Sequence, residues 1–303
     1  MSNSSGFPLS RVAAKGTPAA GPCQQDSEVC DYADWQASDY FDAYYGGVVL
    51  PDEQRVLAYQ LGLLESQPMK FGRALEYGCG PTLHRAIAAS RYAFRIDMAD
   101  RVPGNLAQIG AWLKAGPDNT DWNRYTRYVL GCESDLAASP RRVERREDLT
   151  RKAIRNLHVS DARWPDPLGG ERRRFYDLIV SGFCIDAVSQ DKRVWRECMR
   201  NMLSMLSEGG LLVLHALHRC SAYRVGDRLY PNADLSKDDV FAALVANDFV
   251  RATVDVEIAP CPENARYGYS CVLMASGRKA WRRRRMLPLL GRSPSPRTNL
   301  ILP

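Results

Sequence analysis

"ALEYGCGPTLH", Ala74 to His84, is the stretch on which the fold turns. The apolar run "RALEY" (73–77) carries an acid, Glu76, near its end, and glycines follow at 78 and 80 with a proline at 81. A strand that runs into alternate glycines lets backbone approach a ligand with no Cβ in the way. Pro81 pre-sets the chain for a first helical turn, and "LHRAIAAS" (83–90) continues it. The turn lacks the third glycine of a G-x-G-x-x-G dinucleotide loop and the G-K-[ST] of a phosphate loop. It suits a small ligand that needs no pyrophosphate contact.

Outward from this turn, apolar runs predict further strands at 92–98, 127–131, 176–184, 210–217, 252–259 and 269–275. Helical patterns lie at 52–66, 104–115, 192–206 and 236–247, and the last opens on Ser236 with Asp239 three residues on, near a capping pattern. The charged stretch 132–157 is expected to form a solvated loop and a helix. Alternating strands and helices predict a mostly parallel sheet with helices on both faces. After the final helix two strands come with only a loop between them, which adds an antiparallel edge. Seven strands with the last reversed make the α/β, Rossmann-like sheet of class I methyltransferases.

Composition narrows the classes. The chain has 303 residues, 45% apolar and 25% charged, enough for one large α/β domain with tails. No apolar run is long enough to cross a membrane, and residues 1–29 predict a disordered tail. Nine cysteines are scattered without a CxxC pair. That points to reduced thiols in a cytoplasmic protein and to no metal site. The net charge is +6, but the segment from Arg278 onward holds eight Lys/Arg and no acid, which leaves the rest at −2. The basic character belongs to a C-terminal tail, 277–303, and the core lacks the charge of a nucleic-acid binder.

Asp97 lies 21 residues after Glu76, at the end of "YAFRID". A carboxylate at the end of the second strand can accept both ribose hydroxyls of an adenosyl group. The competing reading of Asp97 is a surface turn acid.

"EYGCGPTLHRAIAAS", "NLAQIGAWLKAGPDNTDW", "SGFCIDAVSQD" and "SEGGLLVLHAL" together resemble the small-molecule N-methyltransferases typified by the nicotinamide, phenylethanolamine and indolethylamine enzymes, with thioether S-methyltransferase beside them. The resemblance covers 30–276, the expected domain. "SDYFDAYYGG" looks like that family's tyrosine-rich segment, here an N-terminal helical lid within 30–66.

The resemblance implies S-adenosylmethionine as methyl donor, S-adenosylhomocysteine as product and no need for a metal. It implies that Gly78, Gly80 and Thr82 approach the donor's methionine part and that Asp97 takes the ribose. By the same resemblance Tyr40, Tyr45 and Phe183 line the donor and acceptor pocket. Asn105 matches a donor-side asparagine but stands three residues late, so "DMADRVPGN" holds an insertion. His158 replaces the acid of an adenine-reading Asp-Val pair and Val159 keeps the apolar place, while Asp161 offers a carboxylate nearby.

Asp186 matches an acid that in the family faces the acceptor nitrogen, able to hold an ammonium or take its proton; the competing role is a helix cap. His215 replaces an acid of the nicotinamide-methylating members, which argues against nicotinamide. The resemblance turns Tyr223 toward the same cavity, and His218 is expected beside it. Asp186, His215 and Tyr40 form the expected catalytic set, acting on a small amine or heteroaromatic nitrogen by in-line displacement, in a monomer. O- or S-methylation, or donor binding without turnover, are the alternatives.

Overall fold

A computed structural model describes residues 29–30, 32, 35–114, 120–134, 137–170 and 175–281. The expected tails fall almost wholly outside these residues.

The apolar runs place the sheet. The strands are β1 (Ala74–Tyr77), β2 (Ile96–Asp100), β3 (Ile154–Val159), β4 (Tyr176–Gly182), β5 (Leu206–Leu217), β6 (Ala222–Val225), β7 (Arg228–Pro231), β8 (Asp255–Pro260) and β9 (Cys271–Arg278). Seven of them form one sheet in the order β3-β2-β1-β4-β5-β9-β8, and β6 and β7 form a separate hairpin. The pairs β1–β2, β1–β4, β2–β3 and β4–β5 are parallel, whereas β9 is antiparallel to both β5 and β8. This is the expected class I sheet with its reversed strand. Its β1 and β4 are buried almost throughout, as strands covered on both faces must be.

Helices α1 (Ala37–Tyr44), α2 (Pro51–Glu65), α3 (His84–Ala89), α4 (Pro103–Leu113), α5 (Asn123–Glu133), α6 (Pro140–Ala153), α7 (Lys192–Leu203) and α8 (Lys237–Ala246) complete the architecture. Residues from α2 to α5 share one apolar core with Val213 and Leu217 of β5. Residues of α7 and α8 share the other with Leu212, Leu214 and Ala216, so alternate β5 side chains feed opposite cores. Ser236 caps α8 in a reciprocal box with Asp239.

Two expectations need correction. Residues 127–131 lie inside helix α5, where Tyr125, Val129 and Leu130 turn inward. The third strand lies instead at the end of the charged run, as β3, which is only partly buried. It is an edge strand with one neighbour, so it lacks the apolar run of a central strand.

Candidate active site

The first βα turn does what its glycines require. Gly78 and Gly80 have φ of +70° and +59°, a region that disfavours other residues. A Cβ on Gly78 would collide with the Cys184 side chain. One on Gly80 would come within ordinary contact of Tyr40 and Thr82. The turn is tied down by bonds from the Gly78 and Cys79 amides to the Ala99 carbonyl and by the Thr82 hydroxyl donating to the Cys79 carbonyl at 2.7 Å.

A cavity of about 820 Å³, counted to its open mouth, lies over this turn at the C-terminal ends of the parallel strands. Its walls include Gly78, Gly80 and Thr82 from the turn, Asp100 and Asn105 from the second βα unit, and Asp161 with Ala162 after β3. Phe183 and Tyr223 close another side, and Tyr32, Trp35 and Tyr40 lie across it from the N-terminal segment. That segment is anchored by the Tyr32 hydroxyl donating to the Ala187 carbonyl and by Trp35 Nε1 donating to Asn105 Oδ1.

The acid at the end of β2 is Asp100, not Asp97. Asp100 Oδ2 accepts from the Gly80 amide at 2.7 Å, while Oδ1 accepts from the Val102 amide and Asn105 Nδ2. Its pKa is raised, chiefly by burial. Asp97 sits near the start of β2, opposite Leu75, and does not line the cavity. It accepts from Asn156 Nδ2 at 2.7 Å and the Tyr176 hydroxyl at 3.0 Å. Although burial opposes this, the nearby His158 ring and hydrogen bonds from Asn156 and Tyr176 hold its carboxyl below the usual range. It is a carboxylate spent on the sheet. The late position of Asn105 has the same origin: counted from Asp100 rather than Asp97, the three extra residues vanish.

The same displacement corrects the third strand. His158 lies within β3, its Nε2 3.9 Å from Asp97 Oδ2, and Val159 beside it is 44% exposed. Neither lines the cavity, whereas Asp161 and Ala162 do. Asp161 accepts from the Arg163 side chain and amide, and Arg101 Nε lies 3.4 Å away.

A second, smaller space of about 340 Å³ adjoins the first, and Tyr40, Phe183 and Tyr223 line both. Its other walls include Tyr44, Tyr45, Tyr269, Asp52, Glu53 and Asn232. Sequence reasoning missed Asp52, Glu53 and Asn232; the first two look like ordinary first-turn acids of α2. The Tyr45 hydroxyl donates to Glu53 Oε1 at 2.8 Å. Glu53 also lies 3.0 Å from Arg85 and 3.0 Å from His84 Nε2; the Arg85 guanidinium first, then the His84 contact, override its burial and lower its pKa.

The expected catalytic set is not assembled as such. Tyr40 stands between the two spaces, but Asp186 and His215 line neither. Asp186 Oδ2 accepts from the Leu217 amide at 2.8 Å and Asn232 Nδ2 at 3.0 Å; it positions the wall rather than forming it, and it caps no helix. Burial raises its pKa. His215 is wholly buried, paired in β5 with Gly182 and Met274, with its ring near Tyr59 and Phe183. Burial, reinforced by Arg85, lowers its pKa to about 3. His218 lies beyond β5, bridging to Leu235 outside both spaces.

The sheet order is that of a class I methyltransferase fold, with the glycine turn and the Asp100 carboxylate beneath an open cavity. The chain belongs to the NNMT/PNMT/TEMT family, whose profile matches residues 26–278. It is 27% identical to nicotinamide N-methyltransferase of Homo sapiens, over 68% of this chain and 78% of that one. It is 30% identical to phenylethanolamine N-methyltransferase of Rattus norvegicus, over 58% of this chain and 61% of that one. Among solved structures, the 1,6-didemethyltoxoflavin-N1-methyltransferase of Burkholderia thailandensis superposes with a TM-score of 0.48 at 14% identity, covering 84% and 93% of the two chains.

Proposed function

We propose that the protein transfers a methyl group from S-adenosylmethionine to a nitrogen of a small amine or heteroaromatic acceptor. The observation that carries this is the donor-shaped cavity: a positive-φ glycine turn facing a buried carboxylate at the next strand end, in a chain of this family.

The residues fit the donor. The positive φ of Gly78 and Gly80 brings the turn's backbone to the cavity wall. Two carboxylate oxygens offer about four acceptor sites; Asp100 uses three within the chain, leaving capacity for a ribose hydroxyl. In this assignment Asp100 replaces Asp97 at the ribose. Asp161 and Ala162 replace His158 and Val159 at the adenine, while Tyr40 and Thr82 lie along the methionine part.

Bound S-adenosylmethionine would supply an electrophilic methyl carbon on a sulfonium. The chain's work is placement: Tyr40, Phe183 and Tyr223 at the junction of the two spaces hold the acceptor in line, about 3–3.5 Å from that carbon. The N-terminal segment bearing Tyr32, Trp35 and Tyr40 excludes water there and moves to admit ligands. Transfer would join the acceptor nitrogen to that carbon as the sulfur–carbon bond breaks; a pyridine nitrogen would keep the positive charge, and an amine would shed one proton to solvent after the segment reopens.

We take the protein to act as a monomer on small molecules, not nucleic acid. Its buried free thiols Cys79, Cys198, Cys220 and Cys261 suit the reducing cytoplasm.

The test is incubation with labelled donor and panels of primary amines, pyridines, indoles, phenols and thiols, with mass spectrometry for the gain of one methyl group. Methylation of nitrogen acceptors is expected. Undetectable binding of S-adenosylhomocysteine in calorimetry would overturn the assignment.

A further inference from the structure

Two adjacent carboxylates face the smaller space, and only one is neutralised. Glu53 is held by Arg85 and His84. Asp52, 2% exposed, has no ion pair among the described residues; its Oδ2 accepts from the Tyr269 hydroxyl at 2.7 Å, and its Oδ1 has no partner. A buried carboxylate without a countercharge is costly to keep ionised. Burial first, and then the like charge of Glu53, raise the Asp52 pKa. Its place in the first turn of α2 accounts for some favourable helix-dipole contact, but not for an unspent oxygen on a cavity wall.

A second unspent acceptor shares that wall. Asn232, 1% exposed, gives its amide nitrogen to Asp186 Oδ2, which fixes the side-chain orientation; its Oδ1 has no partner. The Tyr269 hydroxyl is fixed from behind by Asn264 Nδ2 at 2.8 Å. The remaining walls are largely tyrosine and phenylalanine rings, surfaces that attract cations. Asp52 and Asn232 line only the smaller space, whereas Tyr40, Phe183 and Tyr223 line both. The anchoring end of the acceptor therefore lies away from the donor.

We propose that Asp52 and Asn232 bind an N–H-bearing cationic group at the far end of the acceptor, so that the substrate is bifunctional: an ammonium held at Asp52 and a separate uncharged nitrogen methylated at the junction. This rests on the methyltransferase assignment above. Asp52 is a specificity-determining residue, and its countercharge comes from the substrate.

Matched acceptors test it. 3- and 4-(2-aminoethyl)pyridine are compared with the corresponding ethylpyridines, and α,ω-diamines with monoamines of equal chain length, using the full chain at pH 8. Wild-type protein is expected to favour the members with a distal ammonium by about tenfold or more in kcat/KM, which corresponds to about 1.4 kcal/mol. Asp52→Asn keeps the shape and can still bond Tyr269. It should erase that preference through KM, with S-adenosylhomocysteine affinity unchanged.

No preference in the wild type, or a preference that survives in a folded Asp52→Asn, overturns the inference. If Asp52→Asn does not fold, calorimetric binding of the matched pairs to the wild-type S-adenosylhomocysteine complex decides, and equal affinities overturn it. Failure to bind S-adenosylhomocysteine at all would instead sink the methyltransferase assignment.

Discussion

At the scale of single residues, what separates Asp97 from Asp100 is where each carboxylate's hydrogen bonds go. Asp97 spends its oxygens on Asn156 and Tyr176 inside the sheet. Asp100 receives the Gly80 amide from the glycine turn and so ties together the two loops beneath the cavity. Asp100→Asn should therefore weaken S-adenosylhomocysteine binding by about tenfold or more, a loss of about 1.4 kcal/mol, and lower the melting temperature as well through the hydrogen bonds it loses. Asp97→Asn should leave donor affinity within about threefold but lower the melting temperature, because a buried hydrogen-bonded carboxylate is removed from the sheet. Calorimetric titration and thermal melting of both variants measure this. The reverse ranking of donor affinities would return the ribose contact to Asp97.

At the scale of elements, the sequence resolved the central strands and the half-exposed edge strand β8, and misplaced the other edge, β3. β4 and β5 carry long apolar runs, and β1 is buried throughout, because helices cover both faces. β3 has partly exposed faces and a single neighbour, and it comes after the charged α6 without a turn signal. The "RYVLG" of α5 mimicked a strand because two apolar residues adjoin there, although Tyr125 and Val129 stand one helical turn apart. The glycine turn was legible because backbone geometry demands particular residues. Which acid ended β2 was not, since register is set by pairing with β1 and β3.

Strand alternation also decides the fate of His215. It comes two residues after Val213 and two before Leu217 on the α2 side of β5, so its ring enters the core instead of the cavity. Arg85, Glu53 and His84 are the charged groups around it. Its folded-state pKa of about 3 lies below the unfolded value. The unfolded chain therefore binds the extra proton between these limits, and stability falls as pH drops from about 6.5 to about 3. The slope from this one group reaches about 1.4 kcal/mol per pH unit. His84, whose pKa is also lowered by burial, adds in the same direction. Denaturant melts of His215→Gln should show a visibly shallower acid limb than wild type over that window. An identical limb would mean that His215 is not held neutral.

At the scale of the whole molecule, the site is assembled from segments far apart in sequence, from Tyr32 to Tyr269, and the sheet's reversed strand closes the domain behind it. The sequence indicated a basic extension beginning near residue 277, but the end of the sheet runs through that point. Arg278 donates its amide to Thr253 Oγ1 and accepts at its carbonyl from the Val250 amide. Lys279 exchanges backbone bonds with Gly209 and Gly210, and its Nζ donates to the Leu203 and Leu206 carbonyls. Ala280 donates its amide to the Asp248 carbonyl. These bonds fasten β9 to β5 and to the start of the β8 connection. A net contribution of about 1 kcal/mol for each of several such bonds, at about 2–4 °C per kcal/mol for a domain of this size, sets the scale of their loss. A chain ending at Trp281 keeps all of them and should melt and turn over as the full chain does. A chain ending at Ser276 should melt about 10 °C lower or fail to accumulate, while any folded fraction still binds S-adenosylhomocysteine. Equal melting of the two truncated chains would show that the last turn of β9 contributes nothing to closing the sheet.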